Sequence, residues 1–379
     1  MNGKSQKFPR DDLMSERYRA DQVGSLLRPF ELIQARAAFS NGQISLDQLR
    51  KIEDHAILDA LQMQREAGVE VFTDGEYRRG LFLDVLTEAV DGFTTAARPV
   101  EWRAPGDKVE IVKGGKVVDA RLRQRRRLAG HESAFLKSHC AGPFKITLPT
   151  PAQFMFASYQ KGVTDQFYPR RTDLTADLVA ILQDEIKALV SDGVPYIQMD
   201  APSFTDFVDQ RYRARMRESG IDPESALDEA LAASNDCFVG AKNAEITTAI
   251  HLCRGNQRSR WLKEGSYDAI AEKIFGILDV DRFLLEYDSV RAGGFEPLRF
   301  VPQGKTVVLG LVTTKTPDLE PIDELVRRVE EASRYIPIER LAISPQCGFA
   351  SMLQGNLLSH DDQRRKLELV VEVARKVWG

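Results

Sequence analysis

The stretch Ile246-Thr-Thr-Ala-Ile-His-Leu-Cys253 decides how this chain is read. Its first residues are β-branched and apolar, as a buried strand requires, and it ends abruptly in an imidazole and a thiol. His251 and Cys253 are two apart, so on an extended strand end both side chains point to the same side. A buried strand that delivers reactive groups at its C-terminal end is the signature of parallel α/β architecture, and above all of barrels.

Working outward, seven more apolar runs carry the same stamp. Strands are expected at Tyr18–Gly24, Val69–Asp74, Phe135–Gly142, Pro195–Asp200, Ile246–Leu252, Arg282–Glu286, Val307–Val312 and Leu341–Ile343. Amphipathic helices are expected between them, as at Ser45–Glu66, Leu174–Asp192 and Asp323–Tyr335, with Thr172 or Asp173 capping the second. Strands that alternate with helices eight times predict an α/β fold, a single (β/α)8 TIM barrel filling residues 1–379. No GxGxxG follows the first strand, which argues against a doubly wound dinucleotide-binding sheet. Residues 91–127 break the rhythm. They read as a β-hairpin insertion after the second βα unit, turning at Gly114-Gly115. The basic run Arg121–Arg127 within it reads as a solvated strand face, with a phosphate contact as the alternative.

Bulk properties narrow the function. A net charge of -4 gives no basic footprint for nucleic acid, and no run approaches the roughly 20 apolar residues of a membrane helix. The N-terminus lacks the apolar core of a signal peptide, and the four cysteines form no CxxC pair. A cytoplasmic enzyme with free or metal-binding thiols is expected, acting on small molecules rather than on nucleic acid or membranes.

The expected strand ends gather polar and soft residues at one rim. These are Ser25, Asp74 and Glu76, Asp200, His251 and Cys253, Glu286, Lys315 and Cys347. Imidazole and thiolate together suit zinc, and Cys347 and Glu286 on neighbouring strands complete a tetrahedral set. The bland reading of a lone H-x-C is a buried small hydrophobe beside a hydrogen-bonded imidazole. A second cysteine and a carboxylate at the same rim favour Zn2+. Zinc deprotonates a bound thiol whose free pKa is near 8.5, and two protein thiolates nearly neutralise the ion, leaving a substrate sulfur nucleophilic. Cys140 and Cys237 read as structural thiols in a strand and a helix.

Six motifs then occur in a telling order: RADQVGSLLRP (19–29), VFTDGEYRRG (71–80), YIQMDAPSF (196–204), HLCRGN (251–256), LLEYDS (284–289) and ISPQCGF (343–349). Together they resemble the catalytic barrel of the cobalamin-independent methionine synthase family, in its short single-barrel branch. The resemblance implies a zinc-dependent methyltransferase acting on the thiol of homocysteine or a similar small thiol. It implies zinc ligation by His251, Cys253, Glu286 and Cys347, and contacts to the homocysteine backbone from Ser25, Glu76 and Asp200. Two carboxylates suit an ammonium, and a Gly-Ser turn offers donors to a carboxylate.

The chain departs from the family at three places. The third-strand region GPFKITLPTPAQF (142–154) lacks the tryptophan that stacks on the pterin of folate. Ala201 replaces an acidic residue, and Thr314–Thr316 replace the proton-donating histidine, leaving Lys315 as the nearest catalytic candidate. These departures point away from folate as methyl donor and leave the zinc–thiol half intact. Two alternatives stand beside this reading. One is alkylation of another thiol, such as coenzyme M, by an epoxide; the other is a metal-free decarboxylase on a related barrel.

Overall fold

A computed structural model describes residues 17–106, 108–242 and 245–379. Six parallel strands form one sheet in sequential order: β3 (Lys145–Pro149), β4 (Tyr196–Asp200), β5 (Thr247–Leu252), β6 (Arg282–Glu286), β7 (Thr306–Val312) and β8 (Leu341–Pro345). Two shorter staves close the ring. Ala20 makes a parallel bridge to Ile343 of β8, and Phe72 makes one to Phe144 just before β3. The two staves meet through Leu26 N to Gly75 O (3.0 Å) and through side chains, with Gln22 Nε2 donating to Val71 O (2.7 Å) and Thr73 Oγ1 to Gly24 O (2.7 Å). The expected TIM barrel is thus present, its first two strands reduced to single bridges.

Alternation along each strand sorts the side chains. Tyr18, Val23, Val71, Tyr196, Ala249, Leu284, Val308 and Ala342 form a small cluster inside the ring. Their neighbours, such as Ile197, Ile250, Phe283, Val307 and Ile343, face outward into the large core under the helices. The barrel centre also holds charged side chains. Lys145 Nζ lies 2.6 Å from Asp21 Oδ1 with both side chains fully buried, and it also donates to Gln198 Oε1 (2.9 Å). Tyr196 OH donates to Asp21 Oδ2 at 2.9 Å.

That buried lysine explains one correction. The expected third strand at Phe135–Gly142 is instead mostly helix (Gly130–His139), with Cys140 at its C-cap; the true strand is Lys145–Pro149. Lys145 at the head of the run hides its apolar character, because a charged residue is fully buried only when paired. The helices Leu46–Ala67, Arg171–Ser191 and Ile322–Ala332 lie where the periodicity puts them. Ser45 caps the first in a capping box with Gln48. Arg170, not Thr172 or Asp173, is the N-cap of the second, and Asp173 accepts from its backbone N–H.

The insertion is an antiparallel hairpin, β1 (Val90–Ala104) with β2 (Lys108–Gln124), following the second stave and a four-residue helix, Asp84–Thr87. Its turn falls at Pro105-Gly106, because Ala104 pairs with Lys108. Gly114 and Gly115 lie within β2, where the register shifts opposite Thr95–Arg98. Four of the five arginines in the basic run are spent on ion pairs. Arg123 and Arg125 reach Asp91, Arg121 approaches Asp177, and Arg127 binds Glu185 and Asp192. Among the described residues no helix is long and apolar enough to cross a membrane.

Candidate metal centre

The C-terminal ends of β5, β6 and β8 bring His251, Cys253, Glu286 and Cys347 together. One ligand atom from each lies within 4.8 Å of all the others, and all four residues are buried. The two sulfurs are 3.3 Å apart and form no disulfide. A tetrahedral zinc with bonds of about 2.0–2.3 Å needs donors about 3.3–3.8 Å apart, so this set fits the ion with only small adjustments.

Neighbouring groups aim these donors inward. His251 Nδ1 lies 3.2 Å from Leu284 O, which assigns Nδ1 as the donor and leaves the Nε2 lone pair free for a metal. Glu286 Oε1 accepts from Arg254 N (2.9 Å), and Gly255 N donates to Cys253 Sγ (3.2 Å). Among the described residues, His251 Nε2 and Glu286 Oε2 are buried with no hydrogen-bond partner. Leaving each such atom bare costs about 1–3 kcal/mol, and a cation between them removes that cost. The hydrogen bond to Cys347 and burial push the Cys253 thiol well above its ordinary pKa. A divalent ion at the centre reverses that preference.

Beside the cluster lies a cavity of about 290 Å³ whose walls include His251, Cys253 and Cys347 together with Ser25, Glu76 and Asp200. Glu76 sits in the left-handed backbone region (φ 57°), an uncommon conformation for a residue with a Cβ, and this turns it into the mouth. Its Oε1 accepts from Thr147 Oγ1 at 2.8 Å and lies 3.8 Å from Arg79 Nη1, whereas Oε2 has no partner among the described residues. Arg79 is itself locked by a two-pronged buried pair with Glu132, Nε to Oε1 3.0 Å and Nη2 to Oε2 2.5 Å. Asp200 Oδ1 accepts from Gln198 Nε2 (2.8 Å), so the buried Lys145–Asp21 pair fixes its orientation through Gln198. Burial pushes the Asp200 carboxyl up to about 6, the charge of His251 opposing and that of Glu76 adding. A Cβ on Gly348 would fall 2.0 Å from Ser25 Oγ, so the residue after Cys347 must be glycine for Ser25 to sit there.

Lys315 is not brought to this cavity. Its ammonium turns to Asn256 Oδ1 (3.0 Å) and to the carbonyls of Gly255 and Arg260 (3.4 Å each). Sequence reasoning also missed the roof. Val100, Trp102 and Val112 of the hairpin line the cavity with Lys113, Gly114 and Gly115. The hairpin is seated by a backbone bridge across the mouth, Arg103 N to Trp261 O (2.8 Å) and Trp261 N to Arg103 O (3.0 Å), and by the Glu110–Arg260 ion pair. The signal was present in the alternation of Val100-Glu101-Trp102 against Glu110-Ile111-Val112, whose inner face is Val100, Trp102 and Val112 while Ile111 is exposed.

Comparison with known proteins identifies the family. The family described as "Cobalamin-independent synthase, Catalytic domain" matches residues 20–376. The "Uncharacterized protein YxjH" of Bacillus subtilis (strain 168) is 35% identical over 365 residues, covering 95% of each chain. A methionine synthase of Pyrococcus abyssi is 25% identical over 86% of this chain and 84% of its own. A crystal structure from Listeria monocytogenes, provisionally described as a vitamin-B12-independent methionine synthase, superposes with a TM-score of 0.71. It is 28% identical and covers 96% of this chain and 98% of its own. Barrel, motifs and relatives converge, and the chain belongs to the cobalamin-independent methionine synthase family.

Proposed function

We propose that this protein is a zinc-dependent methyltransferase that methylates the thiol of homocysteine or a similar small thiol. The observation that carries the reading is a cluster of four metal-type donors, three of them in the wall of a cavity that two buried carboxylates also line. When bound, zinc supplies the positive charge that presents the substrate sulfur as thiolate near neutral pH.

The chain's own residues do the rest. Glu76 and Asp200 accept the substrate ammonium, Glu76 through the oxygen that lacks a partner, and Ser25 at the Gly-Ser turn donates to the substrate carboxylate. Thr147, Arg79 and Gln198 hold the two carboxylates in place, so little reorganisation is needed on binding. The hairpin roof excludes water and offers Val100, Trp102 and Val112 to the methyl donor, giving an aromatic surface that the third-strand region lacks. The new S–C bond forms as the methyl–carrier bond breaks, the carrier leaving with that bond's electron pair. The thiol proton is lost to solvent on binding.

Elemental analysis of protein purified without chelator tests the metal. About one zinc per chain is expected. Cys253→Ser and Cys347→Ser should lose metal and activity together, whereas Cys140→Ser and Cys237→Ser should keep both. Active protein with metal content near zero would overturn the proposal.

A further inference from the structure

A second cavity, of about 630 Å³, lies on the other side of the 254–262 loop, beyond the C-terminal ends of β6 and β7, and shares no lining residue with the metal cavity. Its charges do not balance. Four cations, Arg258, Arg260, Arg291 and Lys315, face two acids, Glu110 and Asp288. Each acid already has an arginine: Glu110 pairs with Arg260, and Asp288 with Arg291 at 3.2 Å. Arg258 and Lys315 are left over. Lys315 is buried, yet its ammonium meets only neutral acceptors. Arg258 is exposed at the rim, and its guanidinium has no hydrogen bond or ion pair among the described residues.

The backbone goes to some trouble to place Arg258. Both Arg258 (φ 48°) and Ser259 (φ 65°) are in the left-handed region, where residues with a Cβ are strained. Ser259 N donates to Asn356 Oδ1 (2.9 Å) and Leu357 N to Ser259 Oγ (3.0 Å), which clamps the turn in that shape. Two more donors, Ser289 Oγ and Arg291 Nε, are buried without partners among the described residues. A buried ammonium without a counter-charge, an exposed arginine without a partner at the rim and unused donors around one hollow are the makings of an anion site, because a buried charge wants a counter-charge and a buried donor an acceptor. Barrel rims commonly place phosphates in their βα loops.

We propose that this cavity binds an oxyanion group with two negative charges, a phosphate or a pair of carboxylates, independently of the metal centre. The inference assigns a role to Lys315 as well: it supplies half of the charge that such a group neutralises. Calorimetric titration of the metal-loaded protein with inorganic phosphate and, separately, with succinate tests it. Saturable binding that weakens by about tenfold or more in Arg258→Ala and less in Arg258→Lys is expected, since a charge-assisted contact is lost in one and partly kept in the other. Metal content in both variants reports that the barrel is intact. Phosphate alone binding identifies a phosphate ligand, succinate alone a dicarboxylate, and mutual competition the shared chemistry. No saturable heat with either anion, or unchanged affinity in Arg258→Ala, overturns the proposal.

Discussion

Replacing Glu76 by glutamine isolates the selection of an ammonium from everything else in the cavity. Glutamine keeps the Oε1 acceptor for Thr147 and changes only the charge and the unpaired Oε2 position. In the proposed complex that oxygen faces the substrate ammonium in a buried setting. Losing one member of a buried, hydrogen-bonded charge pair costs about 2–4 kcal/mol. Arg79 Nη1, 3.8 Å away, already offsets part of the Glu76 charge, so the lower half of that range applies, about 2–3 kcal/mol. This corresponds to roughly 30- to 150-fold weaker homocysteine binding. Titration of metal-loaded wild type and Glu76→Gln with homocysteine, 3-mercaptopropionate and coenzyme M reads the effect directly. The variant should lose affinity for homocysteine alone and keep its metal, since Glu76 is not in the ligand cluster. Equal wild-type affinity for the three thiols, or a preference for the sulfonate, would refute the amino-thiol reading and favour alkylation of a thiol without an amine.

Two further predictions concern the frame around the site. Arg79→Met should lower stability to urea by about 3–5 kcal/mol because it strands the buried Glu132 carboxylate, and Arg79→Met combined with Glu132→Leu should regain most of that loss; a double variant as unstable as the sum would deny the pairing its role. Burial, with the Glu132 charge adding and Arg79 opposing, raises the Asp74 carboxyl to about 7. Its unfolded value is near 3.9, so the folded state prefers the protonated form, and this stability contribution is complete below pH 4 and is lost as pH rises through 7. Asp74→Asn should therefore flatten the fall in stability between pH 5 and pH 8, measured by denaturant midpoints at both values; parallel curves for variant and wild type would contradict this.

The candidate donor set is readable in the sequence because its members sit at strand ends. His251 and Cys253 declare themselves by their spacing, Glu286 ends the apolar run of β6, and Cys347 follows that of β8. What stayed hidden depends on contacts between distant parts of the chain. β3 is masked by Lys145, whose charge makes sense only against Asp21. Lys315 was assigned to the reacting centre from its place after β7, but side-chain direction in a loop is set by partners, here the 255–260 turn. The alternation in the hairpin marks Trp102 as part of its inner face, but that this face covers the barrel mouth depends on the hairpin folding back, which is a long-range contact.

The single bridge between Arg103 and Trp261 also makes a natural reporter. Each residue's amide donates to the other's carbonyl, so the two protons are shielded by one and the same contact. When the arm lifts, both must meet solvent in the same event, and when it is down neither can. Their deuterium uptake, corrected for each amide's intrinsic rate, should consequently give one protection factor, whatever the slower barrel amides beneath them do. A ligand that fills the space under Trp102 will slow the two together by the same factor. Occupancy of the cavity can then be followed from the main chain, without a label on either substrate.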